Sequence, residues 1–119
     1  MDRKTIFIDI DGTFLEHPGE LSDIYTANQE KLPGVTEKLD KWNFDEEYII
    51  IVTARPESLR NVTIRQLEER GIFYHQLIMG LPHGTRYVIN DAKPSKAKTA
   101  FGITVPRNEG LINVELNNE

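Results

Sequence analysis

Two carboxylates, Asp9 and Asp11, stand two residues apart at the end of the apolar run Thr5-Ile6-Phe7-Ile8-Asp9-Ile10 and are followed by Gly12. Held that close at the end of a buried strand, they repel one another unless a proton or a cation lies between them. A divalent cation is the economical answer. With oxygen donors and no cysteine in the chain, the hard ion Mg²⁺ fits better than zinc. Asp9 is then a candidate nucleophile, since carboxylates form aspartyl-phosphate intermediates. Asp11 can protonate a leaving oxygen and later deprotonate water. Gly12 allows a sharp bend, after which backbone N–H groups can face phosphate oxygens. Further along, the turn Thr53-Ala54-Arg55 offers a hydroxyl and a planar guanidinium suited to phosphate. Asn90-Asp91-Ala92-Lys93 offers a third carboxylate for the metal and another cation.

Each of these groups follows a stretch that reads as a strand. The run 5–10 is apolar, β-branched and aromatic, the pattern of a strand buried on both faces. Residues 47–53, EYIIIVT, form the strongest strand signal, as a central parallel strand should. Shorter signals occur at 76–79, 86–90 and 100–105. Between the first two strands, residues 14–33 read as a loop or small hairpin with one helical turn. There follows a helix whose apolar face is Val35, Leu39 and Trp42, ending near Asn43 or Phe44. A second helix starts at 55–58, buries Leu59, Val62, Ile64 and Leu67, and stops at Gly71. The last three residues, 117–119, are expected to fray. Alternating strands and helices predict an α/β fold, a Rossmann-like doubly wound parallel sheet whose ligands bind at the carboxyl ends of the strands. Residues 9–13, 53–55 and 90–94 lie at those ends, and His83 in the 80–84 loop is a candidate for the crevice mouth.

With 119 residues, 39% hydrophobic and 28% charged, the chain is read as one domain, residues 1–119. The lack of cysteine excludes disulfide frameworks and thiolate metal sites and agrees with a cytoplasmic location. The longest apolar run, Tyr48 to Val52, is too short for a membrane span, so no membrane partner is expected. A net charge of −5 argues against a broad electrostatic footprint for DNA or RNA, while local basic groups can still grip one phosphate.

The series DIDGT after an apolar strand, Thr53 closing IIIVT and Asp91 closing YVIND resembles the haloacid dehalogenase-like superfamily of phosphohydrolases and phosphotransferases. The resemblance runs in order over residues 5–94. It implies Asp9 as nucleophile, Asp11 as general acid and base, and Thr53 as a phosphate-binding hydroxyl. It also implies Mg²⁺ held by the Asp9 side chain, the Asp11 backbone carbonyl and Asp91. Only about forty residues separate Asp11 from Thr53, and the next interval is similar, which leaves no room for a cap domain. The chain is therefore similar to the capless phosphatases of that superfamily. One departure concerns the family's basic residue ahead of the last motif, which often stands in Gly-Lys-Pro. Here the stretch is Gly80-Leu81-Pro82, and no Lys occurs between Lys41 and Lys93. Arg86 is the favoured replacement and Lys93 the alternative, although a straight strand from Arg86 to Asp91 would put Arg86 about 17 Å from the crevice. Asn90 also replaces an acidic residue common there.

The expected function is a Mg²⁺-dependent phosphomonoester hydrolase acting on a sugar phosphate or other small phosphorylated metabolite through an aspartyl-phosphate on Asp9. The alternatives are a relative that binds Mg²⁺ and phosphate without turnover, motivated by Leu81 and Asn90, and a 3′-phosphatase on nucleic acid ends. A homo-oligomer that partly covers the open crevice is also expected.

Overall fold

The computed structural model describes residues 2–20, 23–24 and 28–116. Three strands, β1 (Thr5–Ile8), β2 (Tyr48–Val52) and β3 (Gln76–Ile78), form a parallel sheet in the order β1-β2-β3. The registers are fixed by Thr5 opposite Tyr48 and Ile50 opposite Gln76. Helix α1 (Val35–Phe44) lies between β1 and β2 in the chain, and α2 (Arg60–Glu69) between β2 and β3. This is an α/β fold with a three-stranded parallel sheet and two helices. The strand order does not reverse among the described strands, so the switch point that marks a doubly wound sheet is not seen.

The local signals explain both helices. In α1 the buried residues are Val35, Leu39 and Trp42, the four-and-three spacing of a single helix face. In α2 the chain first makes a short 3₁₀ turn over Glu57–Leu59. The helix closes at Gly71, whose φ is +67°, with the Gly71 amide on the Glu68 carbonyl and the Ile72 amide on the Leu67 carbonyl at 2.9 Å. That pair of bonds is a Schellman motif, and it brings Ile72 and Leu67 into one buried cluster. The expected buried face of α2 is only partly correct. Thr63, Gln66 and Leu67 are buried while Val62 and Ile64 are half-buried, because Thr63 and Gln66 accept hydrogen bonds from a buried arginine.

One core gathers Ile8, Ile10, Phe14, Leu15, Leu39, Trp42, Ile49, Ile51 and Leu67 with Leu111 and Val114 from the far end of the chain. That closure brings backbones together: a Cβ at Gly110 would collide with the Pro33 carbonyl oxygen, and the Leu111 amide donates to that same oxygen at 2.8 Å. The segment 14–33 closes as a small hairpin-like loop, with Leu15 bridged to Lys31 and the Leu32 amide on the Phe14 carbonyl. Much of the expected helical turn there, and the expected frayed end at 117–119, lie outside the described residues.

Two strand expectations are corrected. Among the described residues β1 is an edge strand, not one buried on both faces, and Phe7 is 53% exposed. The stretches 86–90 and 100–105 are not strands: residues 82–92 make no backbone-to-backbone hydrogen bond among the described residues. Tyr87 and Ile89 are consequently 84% and 94% exposed. The segment leaves the body instead of pairing. The radius of gyration, 14.9 Å, exceeds the roughly 13.5 Å of a compact chain this long, and the long axis is 50 Å against 28 and 24 Å. No described helix is long and apolar enough to cross a membrane.

Candidate functional site

β1 and β2 both run toward one end of the sheet, and beyond it lies a cleft of about 200 Å³. Asp9, Asp11, Thr53, Ala54, Arg55 and Arg86 line it, together with His17, His83, Gly84 and Arg107. Position 9 is the first residue after β1, and the fully buried Ile10 anchors the turn that follows. The amides of Thr13, Phe14 and Leu15 all donate to the Ile10 carbonyl, and the Gly12 amide donates to the Leu15 carbonyl at 2.7 Å. This turn is self-contained. The amides expected to face phosphate are therefore used within the loop, and Gly12 serves as a bend with φ of +86° rather than as a phosphate ligand.

Asp11 is held by Arg55. Arg55 Nε donates to Asp11 Oδ2 at 2.9 Å and Nη2 to Oδ1 at 2.7 Å. Nη2 also reaches Gln29 Oε1, while Nη1 donates to Thr63 Oγ1 at 3.0 Å and to Gln66 Oε1 at 2.8 Å. All five guanidinium N–H groups are thus matched to acceptors, and the arginine side chain is wholly buried. Gln29 closes the network, donating to Asp11 Oδ1 and accepting from Gln66. Arg55, expected to bind phosphate, has no donor left for it; it positions Asp11 instead. No signal in the sequence separates this arginine from an exposed one, since its partners come from residues 11, 29, 63 and 66.

Thr53 is buried, and its backbone is fixed by Ile78 and Leu81, whose carbonyl and amide it meets at 3.0 and 3.1 Å. Its hydroxyl oxygen accepts from the Arg55 amide at 3.1 Å. A hydroxyl that accepts there keeps its own proton for another acceptor, such as a phosphoryl oxygen. Ala54 lines the same cleft, and its amide has no partner among the described residues. Leu81, in the position of the missing lysine, contributes that amide bond and no charge.

Asp9 faces Arg86, with Nη1 to Oδ1 at 3.7 Å, an ion pair too long for a hydrogen bond. The objection that a strand would carry Arg86 to the far end of the sheet falls away because 86–90 is not a strand. Burial pushes the Asp9 carboxyl above the ordinary aspartate value; Asp11 adds to that, while the Ile10 amide, Arg86 and His17 oppose it. Lys93 is exposed and outside the cleft, and its amide is engaged with Ala97. His83 does line the cleft, as expected. Arg107 lines it as well, and the sequence reading does not reach it, because it follows a stretch that reads as a strand and stands in no motif assigned to chemistry.

The three groups expected to hold Mg²⁺ are not brought together. The Asp9 carboxylate is at the cleft, and the Asp11 carbonyl accepts no hydrogen bond among the described residues. Asp91 is exposed and outside, and no three His, Cys, Asp or Glu form a metal-binding group among the described residues. Two protein oxygens completed by substrate phosphate and water lie within what Mg²⁺ accepts. A Mg²⁺ ion here would rest on the Asp9 carboxylate and the Asp11 carbonyl, without Asp91.

No family model matches the chain, and no curated protein matches it.

Proposed function

We propose that the protein is a capless hydrolase of small phosphomonoesters, with Asp9 as nucleophile. The observation that carries this reading is that Asp9 and Thr53 line one small cleft with Arg86, whose guanidinium faces the Asp9 carboxylate. In the first step an Asp9 oxygen attacks phosphorus and the P–O bond to the ester oxygen breaks, the departing oxygen taking a proton from Asp11. Water then attacks the aspartyl phosphate, gives its proton to Asp11 and releases phosphate, restoring the Asp9 carboxylate. Arg86, only loosely paired with Asp9, can shift to the phosphoryl oxygens, where it offsets the charge of an anion approaching an anion. Thr53 donates its hydroxyl proton to a third oxygen. Mg²⁺ bound by the Asp9 carboxylate and the Asp11 carbonyl would supply further charge neutralisation of the phosphoryl group.

The Arg55 clamp gives the second reading its basis. Both Asp11 oxygens are engaged by the Arg55 guanidinium, so proton donation by Asp11 requires that Arg55 release at least one of them. A chain that never releases it would bind phosphate without turning it over. A 3′-phosphatase on nucleic acid ends is a variant of the first reading, with the rest of the oligonucleotide outside the cleft. A cytoplasmic setting agrees with the cysteine-free composition.

The test is hydrolysis of p-nitrophenyl phosphate with Mg²⁺ by the wild type and by Asp9→Asn, with folding checked by circular dichroism. Turnover by the wild type that vanishes in folded Asp9→Asn supports the hydrolase. Binding of phosphate without turnover by the wild type favours the second reading, and full activity in Asp9→Asn overturns the mechanism.

A further inference from the structure

Two aspartates and three arginines line the cleft. Arg55 is spent on Asp11, and Arg86 faces Asp9. Arg107 makes no hydrogen bond or ion pair with any described residue. Its position is nevertheless built. The next residue's amide, from Asn108, donates to the Gly12 carbonyl at 2.9 Å, and the Asn108 side-chain oxygen accepts from the His17 amide at 2.8 Å. A Cβ at Gly12 would lie 3.0 Å from Arg107 Cγ, so the arginine stem rests on the bare face of that glycine. Three residues on, the close approach of Gly110 to Pro33 fastens the same segment to the body. Arg107, an exposed residue, thus lies over the loop that carries Asp9 and Asp11, with no counter-ion among the described residues.

We propose that Arg107 binds a second anionic group of the substrate, so that the phosphomonoester accepted here also carries a carboxylate or a second phosphate. This rests on the phosphatase reading above and adds the substrate class to it. Arg86 is the cation within reach of the nucleophile, which leaves the planar fork of Arg107 for an anion elsewhere on the same molecule. The second group must be near the first. A volume of about 200 Å³ is below the roughly 300–1,000 Å³ of sites that enclose a drug-sized ligand, so both anions belong to a small molecule. Arg107 is a specificity residue in this account and takes no part in bond making or breaking.

The experiment compares matched probes on the wild type, Arg107→Ala and Arg107→Gln. Hydrolysis of 4-carboxyphenyl phosphate and 1,4-phenylene bisphosphate is measured against the neutral 4-carbamoylphenyl phosphate. The wild type should prefer a charged probe by about tenfold in kcat/KM, the size of one charge-assisted hydrogen bond. Whichever charged probe is preferred identifies the second group. In both variants that ratio should fall to about one, whatever the absolute rates. A ratio near one in the wild type, or one that survives in both variants, overturns the proposal. If no probe is hydrolysed, the phosphatase reading has failed, and calorimetric binding of 4-carboxybenzylphosphonate, 4-phosphonobenzylphosphonate and benzylphosphonate decides the inference alone. Tighter binding of a doubly anionic member that depends on Arg107 sustains it; equal binding, or none, overturns it.

Discussion

Arg55 and Asp11, 44 residues apart in the chain, form a two-pronged ion pair at 2.7 and 2.9 Å with the guanidinium completely buried. The pair joins the turn after β1 to the turn after β2, and α2 supplies the remaining acceptors. With all five of its donors matched, the arginine fixes the position of Asp11 at the cleft.

Arg55→Ala should therefore cost about 3–5 kcal/mol of stability, because it leaves the partly buried Asp11 carboxylate without its counter-ion. Arg55→Lys should recover little, since a single ammonium cannot serve both Asp11 oxygens, Gln29, Thr63 and Gln66 together. Urea unfolding of the three proteins measures this. A lysine variant as stable as wild type would show that the clamp contributes little.

For Asp9 the sign is opposite. Its folded-state pKa lies above the unfolded value, chiefly through burial, so the folded protein binds that proton more tightly than the unfolded chain. Stability from this group is complete below the unfolded pKa and is lost as pH rises through the folded one. Asp9→Asn should melt higher than wild type at neutral pH, with the gap closing in acid. Thermal scans from pH 3 to pH 8 check it, and an equal or lower melting temperature at pH 7 would contradict it.

Arg86→Ala should lower kcat/KM on p-nitrophenyl phosphate by about a hundredfold, the usual cost of one transition-state donor. Lys93→Ala should change it less than twofold, as expected of an exposed residue outside the cleft. Steady-state kinetics on both variants decides the assignment. The reverse pattern would return the role to Lys93.

Self-association is expected as well. Phe7 on the open edge strand and Tyr87, Val88 and Ile89 on the projecting segment leave aromatic and β-branched side chains in water, where a second copy can cover them. Sedimentation should give a homo-oligomer, and Ile89→Lys should shift it toward monomer. A wild type that stays monomeric at 100 µM would rule this out.

Sequence alone located Asp9, Asp11 and Thr53 at strand ends, the Val35, Leu39 and Trp42 face of α1, and the stop at Gly71. Those features depend on the period of apolar residues and on the backbone freedom of single glycines, both properties of a few neighbouring residues. Tertiary structure alone decided which arginine meets which carboxylate. Arg55 turns inward because Gln29, Thr63 and Gln66 surround it with acceptors, and Arg86 reaches Asp9 because the residues after it leave the sheet. Arg107 enters the cleft only because the end of the chain packs against Gly12 and Pro33. The apolar stretch 87–89 has strand-like composition, yet a strand also needs a partner backbone, and composition carries no information about whether one lies within hydrogen-bonding distance.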